Sequence, residues 1–124
     1  MKTSELTGAA LDWAVAKCEG AAEKWRSGAP FLWDGTPCIR MYGHDVDYTP
    51  SADWAHGGPI IEEERIDLLC WEFHSTPWKA SIEGGTDAGV ALYVEYGPTP
   101  LIAAMRCYVA SKLGDEVDVP EELQ

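Results

Sequence analysis

The stretch Gly97-Pro-Thr-Pro-Leu-Ile-Ala-Ala-Met-Arg-Cys-Tyr-Val-Ala-Ser-Lys-Leu-Gly114 decides the fold class. Thr99 followed by Pro100 has the form of a helix N-cap with proline at the first helical position, where a missing N–H costs nothing. Ile102, Met105, Val109 and Leu113 recur at helical spacing as a core-facing stripe, and Gly114 stops the helix. Just upstream, Val90 to Tyr96 alternates as a strand does, and so do Trp78 to Ile82 and Arg65 to Phe73. The breakers Pro77, Gly84, Gly85 and Gly89 separate these runs into three strands, and antiparallel pairing is expected.

Working outward, a second helix begins after Thr7, with Leu6 and Leu11 placed as a hydrophobic staple. Leu11, Ala14, Val15 and Cys18 form its stripe and Gly20 its stop. Asp12 and Trp13 lie off the stripe's centre, as a solvated acid and a rim contact that borders a pocket in the functional alternative. From Trp25 to Tyr48 the chain meanders through Gly28, Pro30, Gly35, Pro37 and Gly43, with short strands at Phe31 to Trp33 and Cys38 to Tyr42. The run Tyr48 to Ile61, with Pro50, Gly57, Gly58 and Pro59, reads as an irregular surface loop lined by Ser51, Asp53, Trp54 and His56. The acidic tail from Asp115 packs through Val117, Val119 and Leu123. The expected architecture is α+β: one domain over residues 1–124, a small antiparallel sheet packed against two main helices.

Composition limits function. At 124 residues and 46% hydrophobic content, with six Trp and five Tyr, the chain has enough apolar mass for one ordinary core. Its 21 acids against nine Lys and Arg give a net charge of −12, whose far field repels phosphate backbones and anionic membranes. Direct nucleic-acid binding is therefore not expected, nor is a membrane anchor, since the longest apolar runs are too short to cross a bilayer. Cys18, Cys38, Cys70 and Cys107 are scattered, without a C-x-x-C pair and without a secretory leader, so reduced cytoplasmic thiols are expected.

No motif for a reaction stands out. His44 lies beside Asp45 and Asp47, but His56 and His74 are too dispersed to complete a metal motif. Ser51 and the cysteines lack a nucleophile elbow, so no catalytic residue is assigned. Gly57-Gly58-Pro59 lacks the Lys and Ser or Thr of a phosphate loop and reads as a tight turn; no cofactor is implied. Glu62, Glu63 and Glu64 read as a solvated face. Arg106, beside the apolar stripe of the last helix, either pairs with a carboxylate or forks an anion, and the structural ion pair is the favoured reading.

The segments Tyr48-Thr-Pro-Ser-Ala-Asp-Trp-Ala-His-Gly-Gly-Pro-Ile-Ile61, Gly97 to Gly114 and Lys2-Thr-Ser-Glu-Leu-Thr-Gly-Ala-Ala-Leu-Asp-Trp-Ala-Val-Ala-Lys17 resemble the NinX-like family of small proteins of tailed bacteriophages and prophages. The resemblance implies phage origin, expression in an infected bacterial cytoplasm, and an accessory role beside replication and recombination genes. It implies no reaction.

The first functional expectation is a non-catalytic binder of a small anionic, nucleotide-like molecule. Its cleft is bordered by Tyr48, Ser51, Asp53, Trp54, Gly57, Gly58, Thr99 and Arg106, combining an aromatic wall with a helix N-terminus. The alternative is an acidic inhibitor of a host DNA-interacting protein, acting as a mimic of DNA phosphates. A nucleotide-processing enzyme ranks last, and homo-oligomerisation is left open.

Overall fold

Two type I′-like hairpin turns organise the first half of the chain. Asp34 and Gly35 have φ of 52° and 81°, and Tyr42 and Gly43 have 53° and 80°, so each two-residue loop is left-handed at both positions. These turns join β1 (Phe31–Trp33), β2 (Thr36–Met41) and β3 (His44–Asp47) into an antiparallel sheet of order β1-β2-β3, with Trp33 opposite Thr36 and Met41 opposite His44. The computed structural model describes residues 1–22, 29–71, 75–83 and 91–124. Trp25, Gly28, Phe73, His74, Gly84, Gly85, Gly89 and Val90 lie outside them.

A second antiparallel sheet holds β4 (Asp67–Cys70), β5 (Trp78–Glu83) and β6 (Ala91–Gly97) in the order β4-β5-β6. The helices are α1 (Gly8–Cys18), α2 (Trp54–Glu64) and α3 (Pro100–Leu113). The α+β class is as expected, with three α-helices and two small sheets among the described residues in place of two main helices and one sheet.

The largest correction is α2. Residues read as an irregular loop and a tight turn form a helix, capped by Asp53, whose carboxylate accepts a hydrogen bond from the Ala55 amide at 2.9 Å. Pro59 sits inside this helix and Gly57 and Gly58 beside it, all poor helix formers. Tertiary packing overrides them. A Cβ built at Gly57 would lie 2.5 Å from the Pro50 carbonyl oxygen and 2.7 Å from Leu101 Cδ2, so glycine here lets α2 close on the preceding turn and on α3.

The last helix is also less amphipathic than its spacing predicts. Leu101, Ala103, Ala104, Met105, Cys107, Tyr108, Val109 and Ala110 are buried, while Ile102 is half-buried and Leu113 exposed. The cause is position: α3 packs against β5, β6, α1 and α2 at once, and its alanines allow that close approach. Thr99 and Pro100 begin it as expected, with Thr99 Oγ1 accepting from the Ile102 amide at 3.2 Å.

At α1, Leu6 and Leu11 are fully buried, while Thr7 stands at the N-cap without using its side chain as an acceptor. Asp12 departs from the solvated acid expected: it is 6% exposed. Trp13 does border a cavity, of about 250 Å³, shared with Lys17, Leu113 and Val117. The tail packs as expected. Val117 and Val119 are buried, Leu123 rests against the core, and the N-terminus is tied to the tail by Thr3 N–H to Asp115 O at 2.8 Å and Thr3 Oγ1 to Gly114 O at 2.6 Å. All four cysteines are free thiols. Burial pushes the pKa of Cys18 and Cys107 up to about 12; Cys107 is buried, Cys18 half-buried and Cys70 exposed.

Candidate functional site

The turn between β3 and α2 is crossed by an imidazole that is only 8% exposed, His56. Thr49 O accepts from the Ala52 amide at 3.0 Å and the Asp53 amide at 2.8 Å, which folds the chain back into the helix. His56, on the first turn of α2, returns over this bend. Its Nδ1 accepts the Thr49 N–H at 3.0 Å, and its ring lies 5.3 Å from that of Tyr48, tilted by 32°. With Nδ1 used as an acceptor, the neutral ring carries its proton on Nε2. The Asp53 carboxylate stands 3.8 Å from Nδ1, too far for a hydrogen bond.

Below the turn, Asp12 Oδ1 accepts the Ser51 N–H at 2.9 Å, a buried bond between α1 and the α2 entry. Burial raises the Asp12 pKa, against the opposing pull of Ser51 and His56. A cleft of about 190 Å³ opens between α2 and the first sheet, lined by Glu19, Ile39, Tyr48, His56, Ile60 and Glu63. Glu19 accepts from the Tyr108 hydroxyl at 3.1 Å. Burial raises the Glu19 pKa, and it raises the Tyr48 phenol with added pressure from Glu19 and Asp12. The cleft thus presents two aromatic rings, apolar walls and two carboxyl groups.

Of the residues expected at a site, Tyr48 lines this cleft, while Ser51 and Asp53 build the turn beneath it. Trp54 is 54% exposed at the start of α2, beside Gly58, and Gly57 faces Pro50 and Leu101. Thr99 is occupied in capping α3. Arg106 points elsewhere: Nε donates to Leu6 O at 2.7 Å and Nη1 to Tyr96 O at 2.8 Å. Its bonded partners are backbone carbonyls in place of the carboxylate of the favoured ion pair. Glu95 meets it electrostatically. His56, Glu19 and Glu63 were not assigned to a site. The sequence signal for His56 is its place among the polar residues of the Tyr48 to Ile61 segment; Glu19 and Glu63 reach the cleft through packing alone.

His44, Asp45 and Asp47 lie on exposed β3, and Asp45 is bound by Arg40 at 2.8 Å. Among the described residues, no group of three or more His, Cys, Asp or Glu is placed to hold a metal ion. Within the acidic run, Glu64 pairs with Lys112 at 3.6 Å and Glu63 borders the cleft, so only Glu62 is purely a solvated acid.

The family profile described as Bacteriophage P22, NinX matches residues 2–112. The chain belongs to this phage NinX family. No curated protein matches it. Residues 2–112 take in α1, α2, both sheets and nearly all of α3, so the Tyr48–His56 cleft lies wholly inside the NinX-matched region. No helix among the described residues is long and apolar enough to cross a membrane.

The buried Asp12 and the half-buried Glu19 and Glu95 set the pH response. Burial raises the folded-state pKa of Asp12, Glu19 and Glu95, and for Glu95 this outweighs the opposing pull of Arg106. A raised acid pKa means that the folded chain holds more protons than the unfolded one, so stability increases as pH falls through the raised values. The gain ends near the ordinary values of 3.8 for Asp and 4.5 for Glu, where the unfolded chain also takes up protons. The melting temperature should therefore be higher at about pH 5 than at about pH 7, and a flat or reversed profile by calorimetry would contradict this assignment.

Proposed function

We propose that this phage protein is a non-catalytic binding protein of the infected bacterial cytoplasm that holds a nucleotide-like small molecule by its base. The observation carrying this reading is the fixed His56 ring: Nδ1 is committed to Thr49, so Nε2–H is the donor available to a ligand. Tyr48 and His56 supply aromatic surface, and Glu19 and Glu63 supply acceptors for an amino group. Two carboxyl groups in the cleft disfavour a bare phosphate, and Arg106, the expected anion fork, donates to carbonyls instead. A volume of about 190 Å³ suits one ring system and leaves sugar and phosphate outside.

Mass spectrometry of small molecules released by denaturing the protein purified from infected cells tests this directly. Calorimetric titration with ribonucleosides and their monophosphates should then show the monophosphates binding no more tightly, because the phosphate gains no contact and meets the negative field of the chain. His56→Ala should weaken binding by about tenfold, the loss of one hydrogen bond of about 1.4 kcal/mol. Empty protein that binds no nucleoside and co-purifies stoichiometrically with one host enzyme would replace this reading by host-protein inhibition.

A further inference from the structure

The two sheets treat their edges differently. On β3 every residue is exposed, and His44, Asp45 and Asp47 put polar or charged groups along the strand, a usual defence against unwanted pairing. On β6 the Tyr96 carbonyl is taken by Arg106 Nη1 at 2.8 Å. The β4 edge carries one charged side chain, Asp67, and among the described residues no side chain takes its outward main-chain groups.

Its register shows which groups are open. Leu69 stands opposite Lys79 and Asp67 opposite Ser81, and the Trp71 amide donates to Pro77 O at 2.6 Å. In an antiparallel ladder the residues alternate, so Asp67, Leu69 and Trp71 turn their main chain toward β5, and Leu68 and Cys70 turn theirs outward. The outward N–H and C=O groups of Leu68 and Cys70 meet no partner among the described residues. Beside them lies a cavity of about 330 Å³ lined by Asp67, Leu68, Leu69, Lys79 and Ser81. The cross-strand row of Leu69, Lys79 and Tyr96 lies on the face opposite the buried Ala80, and Leu69 and Tyr96 are 49% and 44% exposed.

We propose that β4 is a docking edge for an extended segment of a basic protein partner, which adds to the second sheet as a fourth strand. Main-chain bonds to Leu68 and Cys70 hold the segment, and alternate side chains set its identity. On the exposed face, Leu69 calls for an apolar residue, and the exposed carboxylate of Asp67, two residues away on that face, calls for Lys or Arg. The net charge of −12 favours the same choice: it attracts a basic segment and repels a second copy of this chain.

Amide exchange on the full ¹⁵N-labelled chain tests the proposal, with a capped peptide of repeating Thr-Lys-Thr-Val, which sets Lys and Val two residues apart on one face, as probe and its Glu-for-Lys counterpart as control. The basic peptide should slow exchange at Leu68 and Cys70 by at least tenfold and leave the β3 amides unchanged, while the acidic peptide does nothing. Cys70→Pro removes an outward donor without touching the ladder to β5, so it should keep its melting transition and lose at least tenfold in affinity. Leu69→Lys, at an exposed position, should weaken binding to a similar degree and remains informative if the proline variant does not fold. Unchanged exchange at Leu68 and Cys70 would overturn the proposal, and so would equal binding of both peptides or full affinity in the Leu69→Lys variant. Protection that appears without peptide and grows with protein concentration would assign the edge to a second copy and overturn it equally.

Discussion

Gly57→Ala should destabilise the protein by about 2 kcal/mol, even though alanine is the better helix former by about 1 kcal/mol. The added methyl would stand 2.5 Å from the Pro50 carbonyl oxygen and 2.7 Å from Leu101 Cδ2. Leu101 has some rotamer freedom, but the carbonyl belongs to the turn that Asp12 and His56 hold through Ser51 and Thr49, so it cannot swing aside alone. Relief requires α2 to back away from α3, which opens the core at Ile60. Gly58→Ala is the internal control: its methyl would meet only the Trp54 ring, at 3.9 Å, so propensity alone acts and stability should rise by up to about 1 kcal/mol. Thermal melts should place the two variants on opposite sides of the parent, separated by roughly 10 °C. Equal melting temperatures would show that α2 does not close on Pro50 as described.

Arg106→Gln should cost about 2–3 kcal/mol, well above the 0–1 kcal/mol of an exposed ion pair. The guanidinium joins three parts of the chain that are distant in sequence: α3 on which it stands, Leu6 ahead of α1, and Tyr96 on β6. Gln is shorter and presents one amide group, so it cannot reach both carbonyls, and the half-buried Glu95 carboxyl also loses its nearby positive charge. Because Arg106 does not line the Tyr48–His56 cleft, the same variant should bind any cleft ligand with unchanged affinity at temperatures where it is folded. Chemical denaturation measures the first effect and calorimetry the second. A variant of parental stability that has lost ligand affinity would restore Arg106 as an anion fork.

Much of the architecture was legible in local chemistry. Thr99-Pro100 and Gly114 mark the ends of α3, Leu6 and Leu11 mark the start of α1, and period-two alternation with close breakers marks β5 and β6 as antiparallel strands; each signal depends on residues within a few positions of one another. Composition likewise set the net charge, and with it the sign of the far field that phosphate backbones would meet. The site was legible only in part. Tyr48, Ser51 and Asp53 stood in a segment whose irregular composition drew notice, but Gly57 and Pro59 argued against a helix there, because propensity counts the cost of a missing Cβ and cannot see the carbonyl that the missing Cβ makes room for.

Asp12 shows the same limit. Its place beside the α1 stripe suggests a solvated acid, and only the approach of Ser51, far along the chain, provides the amide that makes burial tolerable. Arg106 is a cation beside an apolar stripe by sequence; its two acceptors are backbone carbonyls, which every residue carries and no sequence pattern marks. The sequence alone therefore determined the elements with local start and stop signals and the sign of the field around them. The tertiary structure decided which poor helix formers are helical, which polar groups are buried, and which side chains meet in the cleft, because each of those outcomes depends on partners brought close by packing.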